Sequence, residues 1–177
     1  RMGPFSPRIS DVGVVLDLMI HDVDIILSMI NSELVSISAI GRCIRTDHED
    51  IASAQLTFAN GAMAQILVSR VSEKRIRQME ITEAERYITV NYETQDISVQ
   101  RCVRQSGGNL VEVMEHPVFP KTEPLKMELQ HFVSCVREGR QPMVGIKDGK
   151  RALEVCVAVL RQIHEEKNSG GSILSAI

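Results

Sequence analysis

Seven short runs rich in β-branched residues follow one another between Leu34 and Phe119: VSISAIGRCI, IASAQLTF, AMAQILVSRV, RIRQMEIT, RYITVNY, DISVQRCV and LVEVMEHPVF. The links between them are short. A parallel crossover needs about a dozen residues, so these connections favour antiparallel neighbours. Asn60-Gly61, between the second and third runs, predicts a hairpin with a type I′ turn, which takes positive φ at both central positions. In IASAQLTF one face carries Ala52, Ala54, Leu56 and Phe58, the other Ile51, Ser53, Gln55 and Thr57. The second face is uncharged, which fits a subunit contact as well as it fits a plain solvated surface.

Helical periodicity flanks the strands. Asp11 is placed to cap a helix over about 14–30, ended near Asn31. Residues 125–138 bring Leu125, Leu129, Phe132, Val133 and Val136 to one stripe, and Gly139 ends it. Residues 147–167 do the same with Ala152, Val155, Cys156, Val159, Leu160 and Ile163. Residues 1–10, with Gly3, Pro4 and Pro7, read as loop, and the GGSILSAI tail as partly ordered or frayed. At 177 residues the sum is a single α+β domain over 1–177, an open, mostly antiparallel sheet (about 34–119) with helices packed on one face.

Charge and cysteines narrow the class. Twenty Lys and Arg stand against 23 Asp and Glu, a net charge of −3 with no dense basic run, which argues against a nucleic-acid binder. The longest apolar stretch, Val12 to Ile30, carries Asp17, His21, Asp22 and Asp24, which excludes an ordinary membrane span. Cys43, Cys102, Cys135 and Cys156 are far apart with no C-x-x-C, so they read as reduced, mostly buried thiols of a cytoplasmic protein.

The segment DVGVVLDLMIHDVDIILSMIN carries the chemistry. At about 100° per residue, Asp17, His21, Asp24 and Ser28 share a narrow stripe on an otherwise apolar helix. That polar line is expected to face a cleft, a ligand or a partner rather than open water. A carboxylate one turn from an imidazole can accept a hydrogen bond from one ring nitrogen, leaving the other to exchange a proton with a substrate hydroxyl. A simple surface pair explains the same spacing, and so does a metal site using His21 with Asp17 or Asp24, although no convincing third strong ligand lies nearby. His48-Glu49-Asp50 resembles a charged turn, and His116 sits in a loop before Pro117. His131 and His164 sit on amphipathic helices as solvated or boundary residues. Cys135 and Cys156 look structural. Arg8, in GPFSPR, is placed to reach an anionic group from a constrained loop.

DVGVVLDLMIHDVD resembles the Gfo/Idh/MocA family of NAD(P)-dependent sugar and polyol dehydrogenases, with Asp17, His21 and Asp24 at the family's D-x-x-x-H-x-x-D positions. ED-x-A-x-A-x-L-x-F-x-NG at 49–61 and ELQHFVSCVREGRQPMVGIKDGKRALEV are similar to two further family segments in the same order. Asp11-Val12 and Met19 depart from glycines common in the family. No G-x-G-x-x-G occurs in the chain, and neither does the family's E-K-P motif. The resemblance implies the carboxyl-terminal substrate and oligomerisation domain of a longer enzyme. NAD or NADP would be bound mainly by an amino-terminal domain. It implies a sugar or nucleotide-sugar substrate, His21 as proton acceptor, Asp17 beside it, substrate contacts from Asp24 and Arg8, and a homodimer or homotetramer. The rivals are a non-enzymatic assembly module built on the uncharged sheet face, and a metal-dependent hydrolase centred on His21.

Overall fold

A computed structural model describes residues 1–7, 11–104 and 110–169. Arg8 and the GGSILSAI tail lie outside the described residues. The chain groups into two compact units, Arg1–Arg75 with Met143–Ile177, and Ile76–Pro142.

In the first unit, β1 (Leu34–Arg42), β2 (Ile51–Phe58) and β3 (Met63–Ser69) form an antiparallel sheet in the order β1-β2-β3. Its inner face is the one expected: Ala52, Ala54, Leu56 and Phe58 are buried, joined by Ala39, Ile66 and Val68. Two helices cover that face. The first begins as a π-type turn, Val15–Met19, and continues as α1 (Ile20–Met29). The second is α3 (Ile146–Ser169), whose Ala152, Val155, Cys156, Val159 and Ile163 are buried as their periodicity foretold. Val14, Val15, Met19, Val23, Ile26 and Leu27 complete the core. Each such side chain contributes roughly 1.5–3 kcal/mol when fully buried.

In the second unit, β4 (Gln78–Thr82), β5 (Arg86–Asn91), β6 (Asp96–Arg104) and β7 (Leu110–Glu115) form an antiparallel sheet in chain order. Helix α2 (Pro124–Glu138) follows, with Pro124 in its first turn and Gly139 at φ 64° closing it; the Arg140 N–H then donates to the Cys135 carbonyl at 3.0 Å. Gln95 and Thr122 exchange two hydrogen bonds of 2.9 and 3.1 Å, tying the approach to α2 to the β5–β6 turn.

The α+β class, the seven strands and their antiparallel pairing match the expectation, but the strands hydrogen-bond as two sheets of three and four. The reason lies at the end of β3. Met2 and Gly3 take its free edge, with the Gly3 N–H donating to the Ser69 carbonyl at 2.9 Å. The next residue, Arg70, turns its side chain into the unit instead of extending the strand.

Three local expectations are corrected. The β2–β3 hairpin is not type I′. The Gly61 N–H donates to the Phe58 carbonyl and the Phe58 N–H to the Ala62 carbonyl, both at 2.9 Å, leaving a three-residue loop. In such a loop only one residue must take positive φ, and Gly61 does, at 85°. The α2 stripe is present but bare, with Leu125, Leu129, Phe132, Val133 and Val136 between 45 and 66% exposed. Of the four free thiols, Cys135 and Cys156 are buried, whereas Cys43 and Cys102 are exposed because one lies just past the end of β1 and the other on a sheet whose faces are largely open. Burial pushes the Cys156 thiol up to about 12, in keeping with a structural role. Among the described residues no helix is long and apolar enough to cross a membrane.

Candidate active-site helix

The helix start is built by charges that the sequence pattern concealed. Asp50 is fully buried and accepts from the backbone N–H groups of Ile44, Arg45 and Thr46 at 2.7, 2.6 and 3.0 Å, and from the Thr46 hydroxyl at 3.0 Å. Arg70 donates to Asp50 through Nε at 2.7 Å, to the Val12 carbonyl at 2.7 Å and to Thr46 Oγ1 at 2.8 Å. Burial alone would raise the Asp50 carboxyl. The Arg45 and Ile44 amides, the Arg70 guanidinium and the Thr46 amide outweigh it and hold the group well below the usual carboxylate range. Glu49, also buried, accepts the Val15 N–H on Oε1 at 3.1 Å, and its backbone carbonyl accepts the Val14 N–H at 2.9 Å. The carboxylate fills the space beside Gly13, where a Cβ would meet Oε1 at 1.9 Å. Glu49 and Asp50 therefore form a buried anchor rather than part of a charged turn, while His48 stays exposed in the bend before them. Among the described residues no buried side-chain nitrogen or oxygen lacks a partner.

From that anchor the chain enters the π-type turn, where the Ile20 N–H reaches back five residues to the Val15 carbonyl. Such turns are rare and concentrate at functional sites. Asp17 lies inside it and is half-buried; Asp24 is half-buried, while His21 and Ser28 are exposed. The four stripe residues thus lie opposite the buried Met19, Val23, Ile26 and Leu27, with half-buried Ile20 and Ile25 on their flanks. Asp22, off the stripe, is buried and paired with Arg1 at 2.7 Å.

Two expectations change here. Among the described residues neither the Asp17 carboxylate nor the His21 ring takes a hydrogen-bond partner, so the anticipated bond between them is not formed. An exposed imidazole is well served by water, and such a pair gains little from closing. Nor is the imidazole enclosed: His21 is exposed. A groove of about 320 Å³ in this unit runs between the start of β1 and α3, lined by Leu34, Ile37, Ala158 and Gln162 among others, and no stripe residue lines it.

No group of three His, Cys, Asp or Glu side chains among the described residues is placed to hold a metal ion. A dinucleotide pyrophosphate is cradled by a glycine-rich turn between a parallel strand and a helix. Among the described residues every strand pair is antiparallel, and the glycine pattern is missing from the sequence, so these residues do not fit that group.

The outer face of the first sheet is uncharged across β1–β3 in its central rows. Ile40, Ser53 and Leu67 form one row and Ser38, Gln55 and Gln65 the next, with Ile40 54% and Leu67 45% exposed.

Comparison with known proteins places this arrangement. The chain is 32% identical over 164 residues to UDP-N-acetylglucosamine 3-dehydrogenase of Acidithiobacillus ferrooxidans, covering 90% of this chain and 52% of the relative. It is 30% identical over 156 residues to the NAD(+)-dependent scyllo-inositol 2-dehydrogenase of Bacillus subtilis, covering 82% of this chain and 44% of the relative. A solved structure of the Acidithiobacillus ferrooxidans enzyme superposes with a TM-score of 0.82 at 29% identity, covering 92% of this chain and 51% of that one. The chain spans about half the length of the relatives it matches. Residues 5–88 match the model of the GFO/IDH/MocA C-terminal domain, and with the shared fold and the identities above the chain belongs to the GFO/IDH/MocA family.

Proposed function

We propose that this chain is the substrate-recognition and assembly part of a nicotinamide-dependent sugar dehydrogenase acting on a hydroxyl of a nucleotide-activated amino sugar. One observation carries the reading. Asp17, His21 and Asp24 form a polar line with apolar flanks on a rigidly anchored helix, in a chain 32% identical to a UDP-N-acetylglucosamine 3-dehydrogenase. His21, reachable from outside, takes the proton from the hydroxyl being oxidised. Asp17 orients the ring or accepts a hydrogen bond from the sugar, Asp24 contacts the substrate, and Arg8 meets its phosphate. NAD or NADP is held mainly by an amino-terminal dinucleotide domain, which together with the substrate closes the recess over His21. Residues 1–177 act as one functional domain, in a cytoplasmic enzyme.

Replacing His21 by Ala in the full-length protein is expected to lower kcat by roughly 100-fold or more with UDP-N-acetylglucosamine. Because the ring is exposed, the melting temperature should hold. Wild-type turnover from a folded His21→Ala enzyme would remove this role.

The uncharged outer face of β1–β3 is the proposed contact of a homodimer or homotetramer. Sedimentation of the full-length protein as a monomer at micromolar concentration would discard that contact.

A further inference from the structure

We propose that Glu49 is a positioning residue for Asp17, acting through the π-type turn; this rests on the catalytic reading of Asp17 given above. Glu49 grips the two residues from which that turn hangs. Its carboxylate sits where a residue-13 side chain would be, so it packs directly on the Gly13 backbone, and its Oε1 accepts the Val15 N–H. The carbonyls of those same two residues anchor the turn: that of Gly13 accepts the Asp17 N–H at 3.1 Å, and that of Val15 accepts the Ile20 N–H.

A π-type turn inserts one residue into a helix and competes with the regular i→i+4 pattern. The phase at which Asp17 leaves the helix, relative to His21 after it, therefore depends on what holds residues 13–15. Arg70 holds the preceding carbonyl, that of Val12, but is also committed to the buried Asp50 carboxylate. Glu49 is itself buried beneath the helix start, and its contacts there are with the residues that carry the turn.

Steady-state kinetics on the full-length enzyme test this with Glu49→Ala, Glu49→Gln, Asp17→Asn and the double variant Asp17→Asn/Glu49→Ala. Misplacing a catalytic group by about 1 Å can cost roughly 100-fold, so Glu49→Ala should lower kcat by about 10- to 100-fold without changing KM for the nicotinamide cofactor. Glu49→Gln keeps the acceptor oxygen and should recover at least about a third of wild-type kcat. The double variant should match Asp17→Asn alone within about twofold, because a group that acts through Asp17 has nothing left to position.

Losses that multiply in the double variant, or an unchanged kcat in a folded Glu49→Ala enzyme, would overturn the proposal while leaving the role of Asp17 intact. A fully active Asp17→Asn enzyme would instead take down the catalytic reading of Asp17, and this proposal with it. Should Glu49→Ala not fold, Glu49→Asp draws the oxygen back from Val15 and replaces it in every arm.

Discussion

The two sheets are made of similar strands and meet different fates. In the first unit the alternating inner face of β1–β3 is covered by two helices, and Ala54, Leu56, Phe58 and Val68 are almost fully buried. In the second unit Cys135 is the one buried residue among those described; Val103, Val111 and Met114 stand exposed, and so does the apolar stripe of α2. Alternation gives a strand one apolar face, but burial takes a second layer. The first unit also spends its charges differently. Asp50 and Arg70 meet in its interior, whereas the ion pairs of the second unit, such as Arg101 with Glu115, lie on the surface. Interior pairs are costly to break and surface pairs contribute little.

The largest expected effect is at Asp50. Replacing it by Ala removes the buried carboxylate that faces the Arg70 charge, a change expected to cost about 3–5 kcal/mol in denaturant unfolding. A loss below 1 kcal/mol would show that the two units do not differ in this way. The same carboxylate sets a pH dependence. Its folded pKa lies below that of the unfolded chain, so between the two values the unfolded state binds more protons. The stability it contributes is therefore complete above an unfolded pKa of about 3.9 and fades as pH falls through the folded value. Unfolding curves taken below pH 4 should steepen this loss in the wild type and flatten it in Asp50→Asn.

A second comparison uses one residue type in both units. Phe58→Ala empties a fully packed site and should cost about 3–5 kcal/mol, while Phe132→Ala, at a ring 58% exposed, should stay within about 1 kcal/mol. Equal losses would mean that the α2 stripe is covered in solution. The smallest effect is local: Gly139→Ala forces a side chain into φ 64° and should cost about 1 kcal/mol, seen as faster amide exchange in the last turn of α2.

How far the sequence carries depends on the residue. The inner faces of β2 and α3 follow from period alone, since Ala52, Leu56, Val155 and Ile163 recur at strand and helix spacing and are buried. The pairing of Asp50 with Arg70 was also within reach, because it follows from hairpin register. A type I′ turn centred on Asn60-Gly61 pairs residue 59 with 62 and would set Arg70 opposite Ile51. The three-residue loop pairs Phe58 with Ala62 and sets Ser69 opposite Ile51, bringing Arg70 level with Asp50. A one-residue error in register hides the network entirely. Asp22 shows the same limit on the helix: helical period places it off the polar stripe, yet it is buried against Arg1 from a segment that reads as loop.

By itself, then, the sequence determined the seven strands, their antiparallel pairing, the two closing helices and the polar line of Asp17, His21 and Asp24. Each of these is a local property, fixed by side-chain period and link length. Only the tertiary structure decided that the strands divide three and four, that the helix opens on a π-type turn, and that Glu49, Asp50 and Arg70 hold its first residues. Those outcomes depend on which distant groups meet, and a buried charge is stable only beside a partner that chain order does not reveal.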